Sequence, residues 1–174
     1  MNKLVVLSGV PGSGKSYFSK AIKKIKGSHV YVVSSDELRA LIAGNQSSIE
    51  YEDLVWKMFI ELAKTYSNDK EGIVILDATH ISADLRVDRN MVLKDLFDEI
   101  DLVMWDLDKD LVNNQNLQRE YPIPPDALAK FISMFEQPNE KDEAFFDKII
   151  FVKDHNIASA IEIVLQDNQQ GKLF

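Results

Sequence analysis

Apolar residues fall along this chain in short unbroken runs, set between longer stretches in which they recur every third or fourth position. The runs cover residues 4–8, 30–33, 73–76, 102–105 and 149–152 and are rich in valine and isoleucine. They are too short for buried helices and lack the in–out alternation of half-exposed strands, so they read as strands covered on both faces. The intervening segments predict helices over 15–26, 36–43, 51–67, 83–97, 111–118, 126–135 and 157–165. Within 51–67, Leu54, Val55, Met58, Phe59, Leu62 and Ala63 fall at helical spacing and read as one apolar stripe. Strands alternating with helices predict a three-layer α/β/α domain around a five-stranded, mainly parallel sheet. In such folds ligands bind at the carboxyl ends of the strands. The polar segment 166–174 is expected to fray.

Composition narrows the class. With 174 residues, 45% of them apolar, a single domain over 1–174 is expected. Against 28 Asp and Glu stand 20 Lys and Arg, a net charge of −8. That excludes a protein that coats polyanions, and leaves nucleic acid as a partner only if the cations cluster in one groove. Cysteine is absent, which removes disulfides, thiolate metal sites and cysteine nucleophiles. The opening MNKLVVLSGVPGSG lacks the long apolar core and cleavage site of a secretory signal. No apolar stretch approaches the roughly 20 residues that span a bilayer. A cytoplasmic protein without a membrane partner is the expectation.

The loop after the first strand reads Gly9, Val10, Pro11, Gly12, Ser13, Gly14, Lys15, Ser16. This is G-x-x-x-x-G-K-[ST] in its proper setting, after a strand and opening a helix. The glycines let backbone N–H groups turn inward at a helix N-terminus, where phosphate is favoured. Lys15 would reach the outer phosphates of ATP, and Ser16 would offer its hydroxyl to Mg²⁺. Asp77 ends the third apolar run, where a carboxylate can hold the metal directly or through water, or simply cap the turn that follows. Thr79, in the same loop, could contact phosphate or metal or simply stabilise the turn. His80 reads as a turn or rim residue. A nucleotide triphosphate with Mg²⁺ is the predicted cofactor.

After the second strand comes Ser34-Ser35-Asp36-Glu37-Leu38-Arg39. Asp36 could be a helix N-cap or the general base that takes a proton from an attacking hydroxyl. Arg39, one turn on, could hold an anionic part of the acceptor or simply pair with Asp36. The serines could keep Asp36 ionised or form a turn.

The three segments G-V-P-G-S-G-K-S, S-S-D-E-L-R-A-L-I and V-I-L-D-A-T-H together resemble the P-loop polynucleotide 5′-hydroxyl kinases, from about residue 3 to 151. The resemblance implies that Asp36 is the base for a 5′-hydroxyl and that Arg39 binds the neighbouring phosphate of the acceptor. It also implies an adenylate-kinase-like strand order, a helical lid over about 107–125, and frequent self-association into homo-oligomers. The lid is where the pattern departs. Such kinases carry two or more lid arginines, whereas this segment has Arg119 alone among Asn113, Asn114, Gln115, Asn116 and Gln118. Arg119 is the candidate for stabilising charge on the transferring phosphoryl group, or is a surface arginine paired with Glu120 or Asp126.

Arg86 and Arg89 could line an acceptor groove with Arg39, or lie on a solvated face. Phe131, Met134 and Phe135 read as a core stripe, and Lys23, Lys24 and Lys26 as solubility charge. The expected activity is transfer of the γ-phosphate of ATP to a hydroxyl, with a nucleic-acid 5′-OH end as the favoured acceptor. A small-molecule hydroxyl acceptor, or a nucleotide-binding switch that hydrolyses ATP slowly, are the other readings.

Overall fold

The computed structural model describes residues 1–153 and 156–166. The part of the expected frayed tail beyond Gln166 lies outside the described residues. The strands are β1 (Lys3–Ser8), β2 (Val30–Ser34), β3 (Ile73–Asp77), β4 (Glu99–Trp105) and β5 (Lys148–Val152), paired in the order β2-β3-β1-β4-β5. Every pairing is parallel. This is the P-loop kinase fold, with the adenylate-kinase-like order.

The central strands are buried along their whole length, which is why they read as unbroken apolar runs. Successive residues serve opposite layers. Val5, Leu7, Ile75 and Val103 face α1 (Lys15–Lys26) and α8 (Ile157–Leu165), packing on Phe18, Ile22, Ala160 and Val164. Leu4, Val6, Leu76 and Leu102 face the other layer, where α3 (Glu52–Tyr66) supplies Val55, Phe59 and Ala63. The helix α2 (Ser35–Ala43) packs beside α3.

Two expectations need correction. The helix expected over 83–97 is broken into α4 (Ala83–Val87) and a 3₁₀ segment, Met91–Leu96. Asn90 causes the break, because its side-chain amide donates to the Arg86 carbonyl at 2.9 Å and so takes an acceptor that a continuing helix would use. A helix also forms where none was expected. After α5 (Lys109–Leu117) and α6 (Pro125–Met134), α7 (Glu140–Phe145) starts from a capping box in which Asn139 and Asp142 bond each other's backbone. The core stripe expected on α6 is partial: Phe135 packs against the core, while Met134 is exposed.

Candidate functional site

The carboxyl ends of β1, β2 and β3 open onto a cleft of about 700 Å³, roofed by the α5–α6 hairpin. Its floor is the glycine loop. Gly12 and Gly14 have φ of 81° and 105°, a region closed to most side chains. At Gly9 a β-carbon would lie 2.7 Å from Ser13 Oγ and 3.0 Å from Trp105 Cβ. Gly14 leads into α1, whose first turn has neither a side-chain cap nor an acidic residue. Its N–H groups are therefore left for an anion.

Lys15 is buried at this point. Its ammonium donates to the carbonyls of Gly9 (2.8 Å) and Val10 (2.9 Å) and to Ser13 Oγ at 3.4 Å. Burial pulls its pKa down to about 8; Asp77 and Asp36 oppose that fall, and Arg119 adds to it. One ammonium thus senses charges from the ends of two strands and from the roof. Ser16 donates its hydroxyl to Asp77 Oδ2 at 3.0 Å. The Asp77 carboxyl is held above the usual range because its burial outweighs the attraction of Lys15. Among the described residues no group of three His, Cys, Asp or Glu could enclose a metal. A hydroxyl beside a carboxylate instead fits a hard cation that keeps water and phosphate as its other ligands.

Asp36 lies in the first turn of α2, just past the end of β2. The capping role is filled by Ser34, whose Oγ accepts the Glu37 N–H at 3.3 Å. Asp36 lines the cleft with its side chain about half exposed. Arg39 lies beside it and donates to Asp36 Oδ1 at 2.8 Å. The other side of the guanidinium is gripped by Glu52, a residue the sequence did not single out, at 2.5 Å from Nε and 3.1 Å from Nη2. Trp56 donates its indole N–H to the same carboxylate at 2.9 Å. Arg89 stacks on the Trp56 ring, 3.5 Å from its centroid. Arg89 is thus near Arg39, but as a support for the cleft wall.

Thr79 and Arg119 both line the cleft. Thr79 also binds the glycine loop, its carbonyl accepting the Gly9 N–H at 2.9 Å. Asn116 holds the roof: its side-chain amide exchanges hydrogen bonds of 2.8 and 2.9 Å with the Ile123 backbone. Val112 and Leu128 cover Val10 beneath the roof.

Arg86 is a correction. It neither lines the cleft nor meets solvent, and both expected roles fail. It is fully buried and bonds Asp142 through Nε (2.7 Å) and Nη2 (2.8 Å), with Nη1 donating to the Glu136 carbonyl at 3.0 Å. His80 is also no rim residue. It is 1% exposed, its backbone has φ of 40°, and its Nδ1 bonds the Leu7 carbonyl at 2.7 Å. Burial drives its pKa down to about 3, so the ring is neutral and Nδ1 carries the proton.

Comparisons with known proteins agree with this architecture. The family described as AAA domain matches residues 4–138. The curated protein kti12 of Schizosaccharomyces pombe is 24% identical over 166 residues, covering 90% of this chain. The chain spans 58% of that relative's length. A crystal structure of a candidate kinase from Chloroflexus aurantiacus superposes with a TM-score of 0.71 at 17% identity, over 98% of both chains. Kti12 of Chaetomium thermophilum, crystallised with ADP-AlF3, gives a TM-score of 0.65 at 15% identity, over 92% of this chain and 96% of that one.

Proposed function

The chain belongs to the AAA domain family, and from that premise we propose that it is an ATP-dependent phosphotransferase whose acceptor is a hydroxyl, the 5′-hydroxyl end of a polynucleotide being the acceptor class. The observation that carries this reading is the meeting of Asp36, in the first turn of α2, and Asp77, at the end of β3, in one cleft around Lys15. A protein that only held nucleotide would need the glycine loop, Lys15 and Asp77. A second carboxylate facing the same space suits a second reactant.

In this reading the glycine loop and the first turn of α1 hold the phosphates of ATP, as a relative bound to ADP-AlF3 suggests. Ser16 and Asp77 would hold Mg²⁺, which supplies charge neutralisation at the phosphates when bound. Lys15 leaves its loop carbonyls for the outer phosphates. Asp36 accepts the acceptor's hydroxyl proton as the oxygen bonds to the γ-phosphorus. The bond from that phosphorus to the bridging oxygen breaks, and ADP leaves. Arg39 orients the acceptor beside Asp36, and Arg119 compensates charge from the roof side.

The test is transfer of label from γ-labelled ATP to oligonucleotides bearing a 5′-hydroxyl, run beside a panel of small hydroxyl metabolites. Labelled oligonucleotide is the expected product. Transfer to a small molecule and to no oligonucleotide would replace the acceptor class. That second reading is favoured by one observation: Arg39, the cation nearest Asp36, is already bonded to two carboxylates.

A further inference from the structure

We propose that Glu52 is a specificity-determining residue: by occupying Arg39 it makes the acceptor side of the cleft bind an uncharged, ribose-like hydroxyl group in place of a phosphate. This rests on the phosphotransferase reading and narrows it.

The donors of Arg39 are nearly all taken. A guanidinium has five N–H groups. In Arg39, Nε is on Glu52 Oε1, one N–H of Nη2 is on Glu52 Oε2, and Nη1 serves both Asp36 Oδ1 and Ser35 Oγ, the last at 3.4 Å. Among the described residues four donors are engaged and one, on Nη2, remains. Clamping a phosphate in the forked manner takes two parallel N–H groups. A single N–H matches one hydroxyl or ether oxygen.

Glu52 is not poised to swing away and free the fork. Both of its oxygens are used, Oε2 also accepting the Trp56 indole N–H at 2.9 Å. The Trp56 ring is fixed in turn by Arg89 stacked on it and by Phe59 edge-on at 5.1 Å. The Arg39 hydrogen bonds hold Glu52 below the usual carboxylate range, so it is ionised near neutrality. Charge agrees with the donor count. Of the cations lining the cleft, Lys15 lies at the glycine loop and Arg119 in the roof, leaving Arg39 for the acceptor wall, where Asp36 and Glu52 outweigh it.

Two sources share this acceptor chemistry, the terminal ribose of a polynucleotide and a free nucleoside or polyol. The experiment compares a dinucleoside monophosphate with a free 5′-hydroxyl, its uncharged methylphosphonate isostere, the nucleoside alone and a sugar alcohol, at saturating ATP. The wild type is expected to show kcat/KM for the charged and neutral dinucleosides within about twofold, and nearly independent of salt. Each single-strand phosphate that a cation neutralises adds a slope of about −0.7 in log affinity against log salt. Glu52→Gln should therefore favour the charged dinucleoside about fivefold over its isostere, an advantage lost over a tenfold rise in salt. Arg39→Gln should raise KM for both dinucleosides alike. A wild-type preference for the phosphate of fivefold or more that Arg39→Gln abolishes would overturn the proposal, as would an unchanged ratio in a folded Glu52→Gln protein. Transfer to the dinucleosides but not to the polyol assigns the polynucleotide source, and the reverse assigns the free one. No transfer to any of the four would remove the phosphotransferase reading itself, an outcome distinct from failure of the Glu52 assignment.

Discussion

Lys15 is the residue on which burial and charge pull hardest against each other. Its pKa near 8, against 10.5 in an unfolded chain, means that the native protein releases this proton first. Between those values the unfolded chain holds more protons, so this residue's contribution to stability rises with pH across that window. Nucleotide affinity should move the opposite way, weakening above pH 8 as the ammonium is lost. Titration with a non-hydrolysable ATP analogue at pH 7 and pH 9 checks this, and Lys15→Met should abolish the difference while lowering affinity on the order of 10–100-fold. Gly9→Ala should destabilise the fold by about 1–3 kcal/mol in urea unfolding, because its β-carbon would meet Ser13 and Trp105. These residues were legible in the sequence because a glycine loop is a local device whose meaning lies in adjacent positions. Glu52 was not legible. It meets Arg39 from 13 positions away, across a connection that carries no periodic signal. The buried role of Arg86 is hidden for the same reason, since its partner Asp142 is 56 positions distant.

At the scale of elements, the Arg86–Asp142 pair ties α4 to α7 and, through carbonyls, to the segment that follows α6. The same Arg86 bonds the His80 carbonyl at 3.4 Å, in the loop that carries Asp77 and Thr79. Removing one partner leaves a buried charge unmatched, so Asp142→Ala should cost about 3–5 kcal/mol in equilibrium unfolding. Asn116→Ala should act more locally. It removes both bonds that close the 118–124 connection, and faster proteolytic cleavage there, with global stability little changed, is the expected result. The five strands were legible because each is an apolar run, although β4 begins three positions early, at Glu99, where the sequence turns polar. That extension was hidden because Glu99 and Asp101 are buried against Lys3. The split of the 83–97 helix was hidden because it depends on where Asn90 points.

Across the whole molecule, two buried groups set opposing pH dependences. His80 titrates near 3 in the folded protein and 6.5 in the unfolded chain. Its contribution is complete above pH 6.5 and is lost as pH falls toward 3. Asp101 is pushed up to about 7 by burial, from 3.8. Its contribution is complete below 3.8 and is lost as pH rises through 7. Between pH 4 and 6.5 the two slopes oppose, and Asp101→Asn should remove its own falling slope, so that the variant gains stability relative to wild type as pH increases. Urea unfolding at a series of pH values reads this directly. The fold and the glycine-loop end of the cleft followed from motif and pattern, whereas the wall that carries Asp36, Arg39 and Trp56 is assembled from α2 and α3 and had to be seen in three dimensions. The proposed transfer requires Asp36 to serve the incoming oxygen while Asp77 and Lys15 serve the nucleotide. The most direct measurement is phosphoryl transfer by Asp36→Asn beside its ATP affinity. Transfer should fall about 10²–10⁴-fold with ATP affinity within about twofold of wild type. Retention of most of the transfer, or loss of ATP binding in parallel with it, would contradict that division of roles.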